Sequence, residues 1–322
     1  MCVLKRRKLL LAILISAIVS SICFLTAALI FNSHKNETHC NNKMFYQKNE
    51  IWNHSDTLQL QVLRKRELFN YCKKNSRKRN RTTNYIVYSD YENLLYCCAP
   101  YVASNKWMKS LNVHDGIFSF KNTPEVINYD IFNLEYKSLF SLISKEERSV
   151  REKAYFTFLI TRHPFERLIF IYKNEFENQH SPRFRKTFGS YILRKYRKDL
   201  SNEQYDAGAG VTFLEFVKFV LSKKFIDESW QKITDLCLPC NYKYDYVAKV
   251  ETLKNDLKMI SDSTGLLNFL NQTDQTDQSD KMSLVEYYFK TLPKTKIYEL
   301  YMLYLDDFLA FGYPSPYYSK KV

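Results

Sequence analysis

The chain has 322 residues, 45% of them hydrophobic and 16% aromatic, without an internal repeat or a long low-complexity tract. That composition excludes a disordered chain or a repeat array and allows one domain with a substantial core. Lys and Arg number 48 against 34 Asp and Glu, a net charge of +14, which favours anionic partners.

Lys5, Arg6, Arg7 and Lys8 form a basic tip, and Leu9 to Phe31 then contains no charged residue. A run of roughly 23 apolar and small residues is long enough to cross a bilayer as a helix. The basic residues precede the span, so the positive-inside rule puts residues 1–8 in the cytosol and the rest of the chain in a lumen. The competing reading is a cleaved signal peptide, whose apolar core is shorter, about 7–15 residues. The sequons at Asn36, Asn53, Asn80 and Asn271 all fall on the luminal side, as do Cys40, Cys72, Cys97, Cys98, Cys237 and Cys240. Cys237-x-x-Cys240 invites a zinc or redox reading, but no second ligand pair follows at suitable spacing, which leaves a structural disulfide as the better assignment for at least one of the two. A membrane-anchored luminal protein does not meet nucleic acid, so the positive charge points to an anionic glycan and a nucleotide donor.

Residues 32–83 read as a polar stem followed by a helix over Thr57 to Cys72, with Leu58, Leu60, Val62, Leu63, Leu68 and Phe69 as its apolar positions. A single globular domain follows over residues 84–314, and 315–322 form a tail. Strands are expected at Tyr85–Tyr88, Leu94–Cys98, Tyr155–Thr161 and Tyr244–Val250. Thr212-x-x-Glu215 and Ser283-x-x-Glu286 have the spacing of capping boxes. Ile297, Leu300, Tyr301, Tyr304, Leu305 and Phe308 mark one buried face of a last helix, ended by Gly312. Strands alternating with helices imply an α/β fold with a mainly parallel central sheet flanked by helices.

Within this pattern, Tyr155 to Phe176 reads as strand, tight turn and helix. Ligands of open α/β sheets bind at the carboxyl ends of such strands. Pro164 suits the first turn of the helix, and Arg162 stands beside its N-terminus, where a guanidinium and free N–H groups favour a phosphate or sulfate. A surface ion pair is the bland alternative for Arg162.

Arg162-x-Pro164-Phe165-Glu166-Arg167-Leu168, with Tyr172 and Phe176, resembles the 3′-phosphate motif of Golgi carbohydrate sulfotransferases, the group containing the chondroitin 4-O- and HNK-1 sulfotransferases. Further matches extend the resemblance from about Leu63 to Tyr313. They include Asp235 to Cys240 and Tyr244 to Leu253, where Ala248 replaces a usual glycine. The resemblance implies a single sulfotransferase-like luminal domain with a P-loop-like donor site, behind an N-terminal transmembrane anchor in the Golgi membrane. It implies 3′-phosphoadenosine 5′-phosphosulfate as donor, a glycan hydroxyl as acceptor and no metal. The donor would be held at two strand-to-helix turns. Arg162 and Arg167 belong to the second. Ala103, Ser104, Asn105, Lys106, Trp107 and Lys109 belong to the first, which is similar to the family's Val-Pro-Lys-Val-Ala-Cys-Thr-Asn-Trp-Lys-Arg.

Asn105 stands where the family has threonine and Lys106 where it has asparagine, and four further departures bear on donor and acceptor chemistry. Tyr101 replaces the lysine that neutralises charge on the bridging oxygen, and Phe170 replaces a serine that helps hold the 3′-phosphate. Tyr129 and Ser229 stand where relatives carry histidine. A tyrosine hydroxyl donates one hydrogen bond but brings no positive charge. Lys106, at the start of the following helix, is a candidate replacement for the lost lysine. No general base is named. Two readings stay open: a sulfotransferase acting on a glycan, and a catalytically weak relative that binds glycans or a partner protein.

Overall fold

The computed structural model describes residues 54–75, 83–102, 140, 143–178, 182–264 and 281–316. The anchor, most of the stem, the asparagines of all four sequons and the first-turn positions 103–109 lie outside the described residues. No helix among the described residues is long and apolar enough to cross a membrane.

All four expected strands form, with ends shifted by one or two residues: β1 (Ile86–Ser89), β2 (Leu94–Cys97), β3 (Phe156–Thr161) and β4 (Tyr246–Lys249). They pair in the order β1-β2-β3-β4. β2–β3 and β3–β4 are parallel, whereas β1 closes one edge antiparallel to β2, so the sheet is mixed. β2 and β4 are buried along their whole length, as continuous apolar strands covered on both faces require. Tyr96 and Phe158, directly opposed across β2 and β3, stack with ring centroids 4.7 Å apart.

Helix α1 (His54–Lys74) precedes the sheet. Arg64 fixes it there: Nη1 donates to both oxygens of Asp256 at 2.8 and 2.9 Å and to the Val247 carbonyl at 3.0 Å, and Nη2 donates to the Thr252 hydroxyl. Asp256 also accepts from the Tyr246 hydroxyl and the Lys249 amide, so the buried pair is saturated with hydrogen bonds. α2 (Lys145–Ala154) starts at a capping box formed by Ser144 and Glu147. α3 (Pro164–Tyr172) runs into a π-helical turn, Lys173–Glu177. A second π turn, Arg185–Gly189, leads into α4 (Ser190–Tyr196), and α5 (Asn202–Ala207) follows.

Thr212 and Glu215 form the expected capping box at the start of α6 (Phe213–Leu221), whose Phe213, Phe216, Val217, Phe219 and Val220 enter the aromatic core. α7 (Ile233–Cys237) is capped from a distance, because Asp307 accepts from the amides of Ile233 and Thr234 at 2.8 Å each. α8 (Leu253–Thr264) follows β4. Ser283 lies inside α9 (Lys281–Phe289), so its spacing to Glu286 is not a cap. The expected last helix is two, α10 (Lys294–Leu303) and α11 (Leu305–Ala310), broken at Tyr304, yet Leu300, Tyr304 and Phe308 form the anticipated buried face. Gly312 turns the chain with φ +60°, a conformation that favours glycine.

Cys237 and Cys240 both form disulfides, but with different partners: Cys97–Cys237 and Cys72–Cys240. That arrangement removes the zinc and redox readings of the Cys-x-x-Cys pair. Cys98 is a buried free thiol.

Candidate donor site

Two turns leave the carboxyl ends of the neighbouring parallel strands β2 and β3. The first starts at Cys98 and is described as far as Val102. The second, Arg162–His163, joins β3 to α3. His163 is the N-cap: its Nδ1 accepts from the Phe165 amide at 3.3 Å, while its own amide donates to Glu251 at 2.6 Å. Pro164 occupies the first helical turn as expected. Burial, reinforced by Lys249 and Arg162, pushes the His163 imidazole down to about 3, so it remains neutral and serves the cap.

Arg162 stands at the mouth of this turn. Its guanidinium carbon is 4.4 Å from the centroid of Phe170, and its Nε lies 3.9 Å from Glu166, too far for a hydrogen bond. Among the described residues the Nε has no hydrogen-bond partner. Burial pulls the guanidinium pKa down, and Glu166 and Glu251 only partly offset it. A desolvated cation with an unused donor is one that a bound anion would stabilise. Arg162 lines a cleft between α3 and α9 together with Glu166, Phe170, Lys173, Leu284 and Val285. Lys249, at the carboxyl end of β4, adds a second buried cation with its pKa lowered to about 8, mainly by burial.

Arg167, the motif's second arginine, is engaged with backbone carbonyls. Its guanidinium is buried and donates to the carbonyls of Pro100 at 3.0 Å, Glu228 at 3.1 Å and Gln231. Those bonds engage its fork with backbone and tie the first turn to α3. The contact with Pro100 holds the first turn against α3.

Tyr101 follows directly, with φ +63°, a strained backbone for a bulky residue that costs about 1–3 kcal/mol. Its ring meets Phe170 edge-on at 6.2 Å between centroids. Burial and then Glu175 raise its pKa, while Ser229 acts in the opposite sense. Three of the four further departures noted in the sequence therefore cluster: Phe170 lies between Arg162 and Tyr101, and Tyr101 reaches toward Ser229. Tyr129 lies outside the described residues.

Sequence reasoning missed Glu175. It sits in the π-helical turn after α3, with no exposure and, among the described residues, no hydrogen-bond partner for either carboxylate oxygen. Burial first, and Asp227 as well, push its carboxyl up to about 8, and the nearby Tyr101 hydroxyl only moderates the rise. The available signal was its position between Tyr172 and Phe176, inside an otherwise apolar helical face. π-helical turns recur at functional sites.

The profile described as "Sulfotransferase family" matches residues 83–314. The chain belongs to the sulfotransferase family. Carbohydrate sulfotransferase 11 of Mus musculus is 31% identical over 281 residues, covering 83% of this chain and 79% of the relative. Carbohydrate sulfotransferase 10 of Xenopus laevis is 32% identical over 249 residues, 72% of this chain and 68% of the relative. Carbohydrate sulfotransferase 9 of Homo sapiens is 28% identical over 314 residues, 90% and 69% respectively. No solved structure matches the chain significantly. The sulfotransferase match covers both turns, so the family assignment and the strand-end geometry bear on the same residues.

Proposed function

We propose that the protein transfers a sulfuryl group from 3′-phosphoadenosine 5′-phosphosulfate to a hydroxyl of an anionic glycan in the Golgi lumen. In this reading residues 9–31 anchor a type II membrane protein and residues 84–314 form the catalytic domain. The observation that carries the proposal is Arg162: a desolvated guanidinium whose Nε donor is unused among the described residues, beside a helix N-terminus, at the end of a parallel strand. The neighbouring turn touches α3 through Pro100, whose carbonyl accepts from Arg167, and through Tyr101, whose ring meets Phe170.

Arg162 would grip the 3′-phosphate, and the amides of Ala103 to Trp107 would cradle the phosphosulfate. Lys106 and Lys109 would supply the positive charge that Tyr101 does not. As the acceptor oxygen formed its bond to sulfur, the bond from sulfur to the bridging oxygen would break, its electron pair would stay on the departing 5′-phosphate, and the acceptor hydroxyl would release its proton to solvent water. Preorganised cations at that phosphate are worth about 2.7–4 kcal/mol of barrier each.

The test is transfer of labelled sulfate to desulfated chondroitin and other glycans, alongside calorimetry with 3′-phosphoadenosine 5′-phosphate. Transfer that falls about a hundredfold or more in Arg162→Ala and in Lys106→Ala supports both assignments. Donor-product binding without transfer to any glycan would overturn the catalytic reading. An unchanged Lys106→Ala variant would remove that lysine from the mechanism.

A further inference from the structure

Residues 183–224 carry ten Lys and Arg against four Asp and Glu, six of the chain's fourteen net positive charges. Within this stretch the carboxylates are already engaged where they meet arginines: Arg194 pairs with Asp206 at 2.6 Å, and Arg197 grips Glu215 with two hydrogen bonds of 2.7 and 2.8 Å. Lys195, Lys218 and Lys224 form no ion pair among the described residues. They converge instead on two tyrosine rings. The Lys195 ammonium lies 5.9 Å from the Tyr191 centroid and 5.3 Å from that of Tyr196. Lys218 lies 5.7 Å from Tyr196, and Lys224 lies 4.8 Å from Tyr191.

Three like charges from α4, α6 and the segment after α6 thus share two half-buried rings with no ion-pair partner among the described residues. Ring quadrupoles offset such repulsion by only about 0.5–1 kcal/mol at exposed sites. A polyanion with charges repeated along its length would offset more of it, and the tyrosine rings offer apolar surface to the faces of sugar residues. We infer that Tyr191, Lys195, Tyr196, Lys218 and Lys224 form a binding site for a sulfated or carboxylated linear glycan. The site is separate from the Arg162 turn and serves to retain the polymer that carries the acceptor hydroxyl. Its role in turnover rests on the proposed glycan transfer; its binding activity does not.

The experiment uses the full chain in detergent, with chondroitin sulfate chains as the probe. The triple variant Lys195→Ala, Lys218→Ala, Lys224→Ala should bind immobilised chains about tenfold or more weakly at physiological salt, with a shallower dependence on salt. Its affinity for 3′-phosphoadenosine 5′-phosphate should be unchanged, and its KM should rise for long chains but not for a tetrasaccharide. A control triple, Lys145→Ala, Lys153→Ala, Lys254→Ala, removes equal charge elsewhere and should bind as wild type. Should the alanine triple also lose donor-product affinity, the arginine triple at the same three positions decides: retained chain binding supports the site, and lost binding overturns it. Equal weakening by the control triple, unchanged binding by the alanine triple, or preference for phosphatidylserine vesicles over the glycan would each overturn it. If no glycan is sulfated, the proposed reaction fails while the binding measurements still decide the site.

Discussion

The guanidinium carbon of Arg162 stands 4.4 Å from the ring centroid of Phe170, the residue that takes the place of the serine implied by the resemblance to carbohydrate sulfotransferases. The ring supplies Arg162 with a partner in the unliganded protein but gives an incoming phosphate nothing to bond to.

Phe170→Ser exchanges that cation–π contact, worth about 0.5–2 kcal/mol, for a hydrogen bond to a charged group worth about 1.5–3 kcal/mol. Affinity for 3′-phosphoadenosine 5′-phosphate should rise about threefold to tenfold, measured by calorimetry. A fall in affinity would show that the ring contributes to nucleotide binding.

Glu175 makes stability depend on pH. In the folded protein its carboxyl keeps its proton up to about 8, while the unfolded chain releases it near 4.5. Between those values the folded state binds more protons, so stability falls as pH rises through the window and levels off above it. The loss is on the order of 5 kcal/mol. Glu175→Gln should abolish this fall, so its melting temperature should exceed that of wild type at pH 8.5 and match it near pH 4.5. Parallel thermal melts of both proteins across this range provide the measurement.

Arg64→Ala leaves the Asp256 carboxylate buried with its charge uncompensated, and should cost about 3–5 kcal/mol in urea unfolding. Arg64→Lys keeps one charge but loses the fork that reaches Thr252 and Val247, and should fall between the two.

Replacing both Cys72 and Cys240 by serine should lower stability by about 2–5 kcal/mol, measured by chemical unfolding under oxidising conditions. Wild type treated with reductant should show at least this loss, because the Cys97–Cys237 bridge opens as well.

The strands were legible because each is a short apolar run with little competition from helical spacing, and the Thr212–Glu215 cap because both halves of its hydrogen-bond pair are local. Arg162 was legible for the same reason: strand end, proline and arginine are adjacent in the chain. What escaped depends on distant partners. Asp307 caps α7 from 74 positions away along the chain, and Arg167, a match to the motif by position, is spent on carbonyls 61 to 67 positions distant. The helix break at Tyr304 disrupts no apolar period and so leaves no mark in the pattern. The disulfide partners of Cys237 and Cys240 diverge because the two side chains meet different elements, β2 and α1, which spacing cannot reveal.

The two bridges also make the fold tolerant of a particular injury. Any single scission of the backbone between Cys98 and Leu236 falls inside both covalent loops, since Cys72 returns to Cys240 and Cys97 to Cys237. Proteolytic fragments produced there would migrate together on a non-reducing gel and separate only after thiol treatment, so a nicked population would pass unnoticed in size-based assays run without reductant.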